Sequence, residues 1–436
     1  MAPEFQVVHP HAAGIDIGSR QFFVSAKESH YEIFNTYTEG CYAVRDYLKA
    51  EGVTSVAMES TGVYWITLYD VLDSAGFEVY LVNGREAKNM PGRKSDIKDC
   101  QWLRQLHTYG LLRRSFIPDE AIRKLRSYVR LRRDNIRAQA SQTNLIQKAL
   151  TLMNIRLTEV INDVMGVSGK RMIEAILAGE RNIDKIVSLC HETILSKKED
   201  QVKKALEGNY KEEHMFALKQ AYNTWMYYAG QIKECDYEMQ KLLNERTQNL
   251  PPVENMQKRK PIRYNKPDID NLPQMILKLT DGKDPVGIPG ITDYSLLQLI
   301  SEVGTDMSHW PNEKKFVSWL KLAPMSNQSG KINKRISAKR SNKASLIIRT
   351  IAQGIVTSKK IAMGAFARRI RAKRGSAVAI KAVARKIACY FYRVMTKGTA
   401  FVEKGIEMYE LDQKERAKQH ILKMAKKYNL NLSAGI

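Results

Sequence analysis

Between Lys331 and Lys397 the chain has no aspartate and no glutamate, while the same 67 residues hold 19 lysines and arginines. The net charge is +24, yet the rest of the chain carries 51 basic and 46 acidic residues, so nearly all the excess lies in this block. A field of one sign attracts polyphosphates through counterion release. Helical apolar spacing inside the block points to a folded domain rather than a tail, and favours nucleic acid over anionic lipid. Cysteine is also scarce. Cys41, Cys100, Cys190, Cys235 and Cys389 form no Cys-x-x-Cys pair, which excludes a zinc module or disulfide framework and fits a reducing compartment. The eight histidines show no metal-ligand spacing. No uncharged apolar run approaches the ~18 residues of a membrane span. The first residues, Met1 to Gln6, lack the basic and apolar regions of a secretory signal. The expected location is the cytoplasm, with no membrane partner.

What the chain does have is four acids in telling places. Asp16 interrupts the apolar run Ala12-Ala13-Gly14-Ile15-Asp16-Ile17-Gly18, Glu59 ends the run Val56-Ala57-Met58-Glu59, and Asp96 and Asp99 stand three apart where a helix is expected to begin. Carboxylates within apolar strands are costly unless paired or bound to a cation. Converging carboxylates suit Mg²⁺ or Mn²⁺, and two such ions can assist phosphoryl transfer. The same residues have a second reading. Asp16 could pair with an arginine, Asp96 could be an N-cap, and Asp99 could be a first-turn acid favoured by the helix dipole.

Hydrophobic periodicity predicts strands at 12–18, 21–27, 30–37, 53–58 and 77–82, and helices at 40–50, 62–75 and 96–109. The order β-β-β-α-β-α-β-α is that of a ribonuclease H-like fold. In that fold the middle of the first strand, the end of the fourth strand and the last helix meet, and the four acids fall at those places. Residues 119–153 and 211–247 carry heptad seams expected to pair as an antiparallel coiled coil. Arg132, Gln139, Thr143 and Asp236 break the two seams. Six of the thirteen prolines lie in 249–285, which reads as a linker or insertion. Ile288-Pro289-Gly290-Ile291-Thr292 reads as a helix-hairpin-helix-like turn offering N–H groups to phosphate. A loop at 323–331 and basic helices at 341–370 and 376–397 follow, then an amphipathic helix at 402–427. The expected architecture is α/β plus α. Its domains are 1–115, a helical coiled coil at 116–248, a linker at 249–285, a mainly α domain at 286–400, and a C-terminal helix at 401–436.

Two motif sets in order give the chain a resemblance. One comprises Gly14-Ile15-Asp16-Ile17-Gly18, Met58-Glu59-Ser60-Thr61-Gly62-Val63-Tyr64 and Arg93-Lys94-Ser95-Asp96-Ile97-Lys98-Asp99. The other comprises Ile288-Pro289-Gly290-Ile291, Trp310-Pro311, Phe316-Val317-Ser318-Trp319-Leu320, Leu322-Ala323-Pro324 and Gln328-Ser329-Gly330-Lys331. Together they resemble the DEDD transposases of the insertion-sequence-110 and -1111 kind, relatives of the Piv DNA invertases with a RuvC-like N-terminal domain. Ser95 and Cys100 stand where the family usually has Thr and Ala.

The resemblance implies a Mg²⁺-dependent DNA transposase or recombinase that excises and inserts an element. Asp16, Glu59, Asp96 and Asp99 would hold the metal, and Ser329 would form a covalent 5′-phosphoserine. Ser326 competes for that role, but only Ser329 has the Ser-Gly-Lys setting. Without the resemblance, Ser329 reads as a loop residue with no adjacent base. The resemblance also implies a bridge RNA that selects DNA by base pairing, in the manner of guide-RNA systems. Lys331, Lys334, Arg335, Lys339, Arg340, Lys343, Arg368, Arg369 and Arg371 are the expected nucleic-acid contacts. A homodimer assembling to a tetramer is expected. The competing readings are a RuvC-like nuclease using water, a non-catalytic nucleic-acid scaffold, and site-specific inversion by the same chemistry.

Overall fold

A computed structural model describes residues 6–60, 62–84, 96–253, 256, 258–262, 264–329, 332–336, 342–398 and 406–428. The chain divides into two compact units, 1–117 and 118–436.

The first unit is built on five strands: β1 (Ala12–Ile17), β2 (Gln21–Ser25), β3 (Glu32–Asn35), β4 (Ser55–Glu59) and β5 (Glu78–Val82). Their order is β3-β2-β1-β4-β5. β1 pairs antiparallel with β2, and β2 with β3, whereas β1, β4 and β5 run parallel. The central strands β1 and β4 are buried throughout, as expected when helices cover both faces. On one face α1 (Thr38–Ala50) and α2 (Trp65–Ser74) set Cys41, Val44, Leu48, Leu68 and Leu72 against Ala13, Ile15, Ile17, Val56 and Met58. Cutting Leu48 or Leu72 to alanine there would cost about 2–5 kcal/mol.

The other face carries α3 (Asp96–Thr108), whose Leu103 packs with Ala57 and Val82. Gly14 permits this approach: a Cβ at that position would lie 2.2 Å from the Cys100 carbonyl oxygen and 2.3 Å from the Arg104 nitrogen. Every element expected in this unit is present. The strand and helix ends shift by up to three residues, within the fraying common at element termini.

The second unit is mainly helical. α4 (Glu120–Leu152), capped by Asp119 accepting from the Ile122 N–H, is followed by the short helices α5 (Leu157–Val160), α6 (Val167–Leu177) and α7 (Ile183–Val187), then by α8 (Glu192–Leu206) and α9 (Glu212–Thr247). α4 and α9 pack together in opposite directions. Arg132 meets Asp236, Asn135 meets Cys235, and Thr143 meets Trp225. The polar residues expected to break the two seams therefore lie within the contact: Arg132 and Asp236 answer each other, and Gln139 and Thr143 both meet Trp225. Far from that base, Ile146, Leu150 and Met153 close a core with Met172, Ile176, Val202, Leu206 and Leu218.

The stretch after α9 is well packed where described. Lys260 Nζ donates to the Val286 and Ile288 carbonyls, and the Asp268 N–H donates to Asp236. α10 (Leu272–Leu279) buries Leu272, Ile276 and Leu277.

α11 (Asp293–Val303) begins with a capping box in which Thr292 and Ser295 satisfy each other's N–H. Asp293 is buried beside Arg259, and burial raises its carboxyl above the usual range. The Thr292 and Ser295 N–H groups at the start of α11 are thus committed to each other's hydroxyls. α12 (Glu313–Trp319) leads to a two-stranded hairpin, β6 (Met325–Ser329) and β7 (Ile332–Ile336), where a loop is expected from the sequence. Two residues including a glycine, Gly330-Lys331, separate the strands, which is hairpin spacing. The basic stretch expected as one helix over 341–370 is two, α13 (Lys343–Ile355) and α14 (Ala362–Arg374). The run Val356-Thr357-Ser358-Lys359-Lys360 contributes no residue to the apolar stripe of Ile348, Ile351, Ala352 and Ile355, and its serine competes with helical hydrogen bonds. α15 (Ser376–Lys397) and α16 (Ile406–Lys427) complete the chain. Among the described residues no helix is long and apolar enough to cross a membrane.

Candidate active site

The parallel register of β1 and β4 ends at Ile15 opposite Met58, so Asp16 and Glu59 follow side by side. Side chains alternate along a strand, and both acids share the face of Gly14 and Ala57, the face covered by α3. Asp16 is 9% exposed and Glu59 7%. Neither acid is without a partner. Glu59 ends β4 opposite Val82, and two residues later the chain passes its carboxylate at Gly84.

α3 contributes the third acid. Cys100 is buried, its Sγ donating to the Ile97 carbonyl oxygen at 3.1 Å. Burial first, and then the charge of Asp16, push its thiol up to about 12, with Asp99 adding in the same direction. That thiol therefore senses both acids, one on the sheet and one on the helix. Asp99 is half-buried.

Asp96 opens α3, but its side chain lies outside the described residues, as do residues 85–95. Among the described residues no group of three histidines, cysteines, aspartates or glutamates could hold a metal ion as it stands. The donor chemistry nevertheless fits a hard divalent cation. Asp16 and Glu59 stand on adjacent strands and Asp99 on the helix over them, all three offer carboxylate oxygens, and the neighbouring Cys100 thiol is held protonated.

In the second unit Ser329 ends β6 opposite Ile332, and Ser326 stands opposite Arg335. The side chains of Ser326, Ser329, Lys334 and Arg335 lie outside the described residues, as do Lys331, Lys339 and Arg340 entirely. Lys343, at the start of α13, is half-buried, whereas Arg371 is exposed near the end of α14.

Two expected phosphate contacts are engaged within the protein. Arg368 donates Nη1 to the Ser358 carbonyl oxygen at 2.5 Å, tying α14 to the break before it. Arg369 donates Nη1 to Gln413 Oε1 at 2.5 Å, on α16. Lys373 and Arg374, beside Arg371, are exposed and were missed as candidates. Their signal was their place in the last turn of a basic helix.

Comparison with known proteins adds the context of these motifs. Residues 13–155 match the transposase family model of the DEDD transposases of IS110. Residues 287–366 match the transposase model of the IS116/IS110/IS902 family. No curated protein matches the chain.

Proposed function

The chain belongs to the IS110 family of DEDD transposases, and from that membership we propose that it exchanges DNA strands through a covalent phosphoserine, moving an insertion sequence. The N-terminal unit is then a ribonuclease H-like, RuvC-like catalytic domain, a reading supported by its sheet order. The observation that carries the proposal is the placement of Asp16 and Glu59 side by side on adjacent parallel strands, under the helix that brings Asp99.

Asp16, Glu59, Asp96 and Asp99 would hold Mg²⁺ or Mn²⁺. Such an ion supplies charge stabilisation to the oxygens around a transferring phosphoryl group. Ser329 Oγ attacks the phosphorus, forming the Oγ–P bond as the P–O3′ bond breaks. The hydroxyl proton leaves with a base, and the departing 3′-oxygen gains one. A second strand's 3′-hydroxyl reverses the step and frees the serine. The energy of the phosphodiester is kept in the covalent link, so strands are rejoined rather than hydrolysed. Ser326 has no Ser-Gly-Lys setting and is assigned no role.

DNA contacts are assigned to the basic block, with Lys331, Lys334, Arg335, Lys339, Arg340, Lys343 and Arg371 as phosphate ligands. A bridge RNA supplies target choice. Its presence is tested by sequencing RNA that co-purifies with the protein. The helical pair α4–α9 acts as a coiled-coil association surface, giving a dimer that becomes a tetramer on nucleic acid. Light scattering with and without DNA and RNA checks this, and a monomer throughout would contradict it. The mechanism itself is tested by denaturing electrophoresis of protein incubated with labelled DNA and Mg²⁺. A covalent adduct is expected. Cut strands without an adduct would instead indicate a water-using nuclease.

A further inference from the structure

Glycine is used where a turn needs positive φ or where a neighbour comes too close for a side chain. Gly84 belongs to the second kind. Its φ is not among the positive values of the chain's glycines, so its backbone would accept alanine. What forbids a side chain is the Glu59 carboxyl group. A Cβ on residue 84 would lie 2.0 Å from Oε1, 2.4 Å from Cδ and 2.9 Å from Oε2. All three nearest atoms belong to the end of one side chain, and no backbone atom is among them. A methyl at 84 would therefore turn this nearly buried carboxylate away from its place rather than displace backbone.

We infer that Gly84 is a positioning residue for Glu59. The missing side chain at 84 is the recess that holds the carboxylate at the end of β4, beside Asp16. Gly84 touches no reacting atom. It acts through the direction in which Glu59 presents its oxygens to a cation. The inference rests on the carboxylate-site reading of the proposed function, and it adds a residue that neither the acidic motif nor its spacing identifies.

The full-length protein tests it with Mn²⁺ as the probe, bound metal being followed by electron paramagnetic resonance. The parent protein, Gly84→Ala, Glu59→Asp and the double variant are compared. Because the methyl meets only a side-chain end, Gly84→Ala should leave the melting temperature of the metal-free protein close to that of the parent. Its Mn²⁺ affinity should fall by about 10- to 100-fold, the range for losing support behind a metal ligand. Strand exchange should fall with it.

Glu59→Asp withdraws the carboxylate by one methylene. In that background Gly84→Ala should cause no further loss of Mn²⁺ affinity or of melting temperature. Equal losses in both backgrounds, or unchanged affinity in Gly84→Ala, would overturn the inference. If Gly84→Ala lowers the melting temperature, that loss must also vanish in the Glu59→Asp background, or the inference fails. Glu59→Gln separates the two levels. Should it leave Mn²⁺ binding intact, the carboxylate-site reading fails. Should it abolish binding while Gly84→Ala does not, only the role of Gly84 fails.

Discussion

Arg132 and Asp236 are each the charged interruption in the apolar repeat of their own helix, and each is the other's partner. Arg132 donates Nε to Oδ1 at 2.5 Å and Nη2 to Oδ2 at 3.2 Å, with both side chains almost fully buried. Its Nη1 donates to the Tyr294 hydroxyl at 2.8 Å, and the Asp268 N–H donates to Asp236 Oδ2 at 3.1 Å. Four segments of the second unit thus meet at one ion pair. Removing one partner strands the other in a dry place, and such losses run to about 3–5 kcal/mol, although an apolar pair of similar volume can be neutral. Arg132→Met should therefore lower stability in urea by that amount, and Arg132→Met with Asp236→Leu should recover most of it. A double variant as unstable as the sum of the singles would show that the pair is not coupled.

Asp16→Asn, Glu59→Gln and Asp99→Asn should each abolish covalent adduct formation and strand exchange. DNA and RNA affinity should stay near the parent value, because the proposed phosphate contacts lie in the basic block and not among the acids. Gel-shift titration beside the exchange assay reads both quantities. Full exchange in any two of the variants would remove the carboxylates from the chemistry.

Ser329→Ala should eliminate the adduct while leaving the melting temperature nearly unchanged, since one small hydroxyl contributes little stability unless it is buried in a network. Ser326→Ala should retain the adduct. The opposite pattern would assign the nucleophile to Ser326.

The arginines of α14 should behave differently from one another. Arg371, Lys373 and Arg374 are exposed. If all three neutralise phosphates, their joint replacement by alanine should flatten the slope of log K against log salt by about 2–3 units. Arg368→Ala should act first on stability, because it removes the bond to the Ser358 carbonyl. A flattened salt slope without any loss of melting temperature in Arg368→Ala would reverse that assignment.

His107 makes stability sensitive to pH. Its ring is buried, Nε2 lies 2.7 Å from Ser55 Oγ, and His9 stacks on it at 4.4 Å. Burial, with a smaller effect of His9, lowers its pKa to about 4. The unfolded chain takes up this proton near pH 6.5, earlier than the folded chain. The stabilising contribution is therefore complete above that pH and is lost as pH falls toward 4, amounting to about 3 kcal/mol at most. Melting curves from pH 7 to 4 should show the loss, and His107→Gln should reduce it. An identical pH profile in the variant would exclude His107 as its source.

The sheet and the acids were legible because local pattern determines them. Alternation and apolar runs fixed β1 to β5, and Asp16 and Glu59 stood out as charges in otherwise apolar strands. What escaped depends on distance along the chain. Nothing near Arg132 announces Asp236 more than a hundred residues later, so both looked like defects in a repeat. Gly84 has a role that depends on a carboxylate from another strand, which nothing in its own neighbourhood announces. The hairpin at Met325–Ile336 was hidden by a polar sequence whose strands pair mainly with each other. The break between α13 and α14 was hidden by continuous basic charge, which marks a surface and carries no information about where a helix ends.

The opposed directions of α4 and α9 also govern how the helical pair can change in length. Each heptad adds about 10 Å of rise, and the helix going out must match the helix coming back. Seven residues lost beyond Arg132 on α4 alone would shift the Thr143–Trp225 contact out of phase while leaving the Arg132–Asp236 pair in place. Seven lost from each helix, between that pair and the core around Leu150 and Leu218, would restore the phase. Length in this part of the molecule is therefore a quantised variable. It is open to paired insertions and deletions and closed to single ones, so relatives with shorter or longer helices should differ by matched steps on both sides.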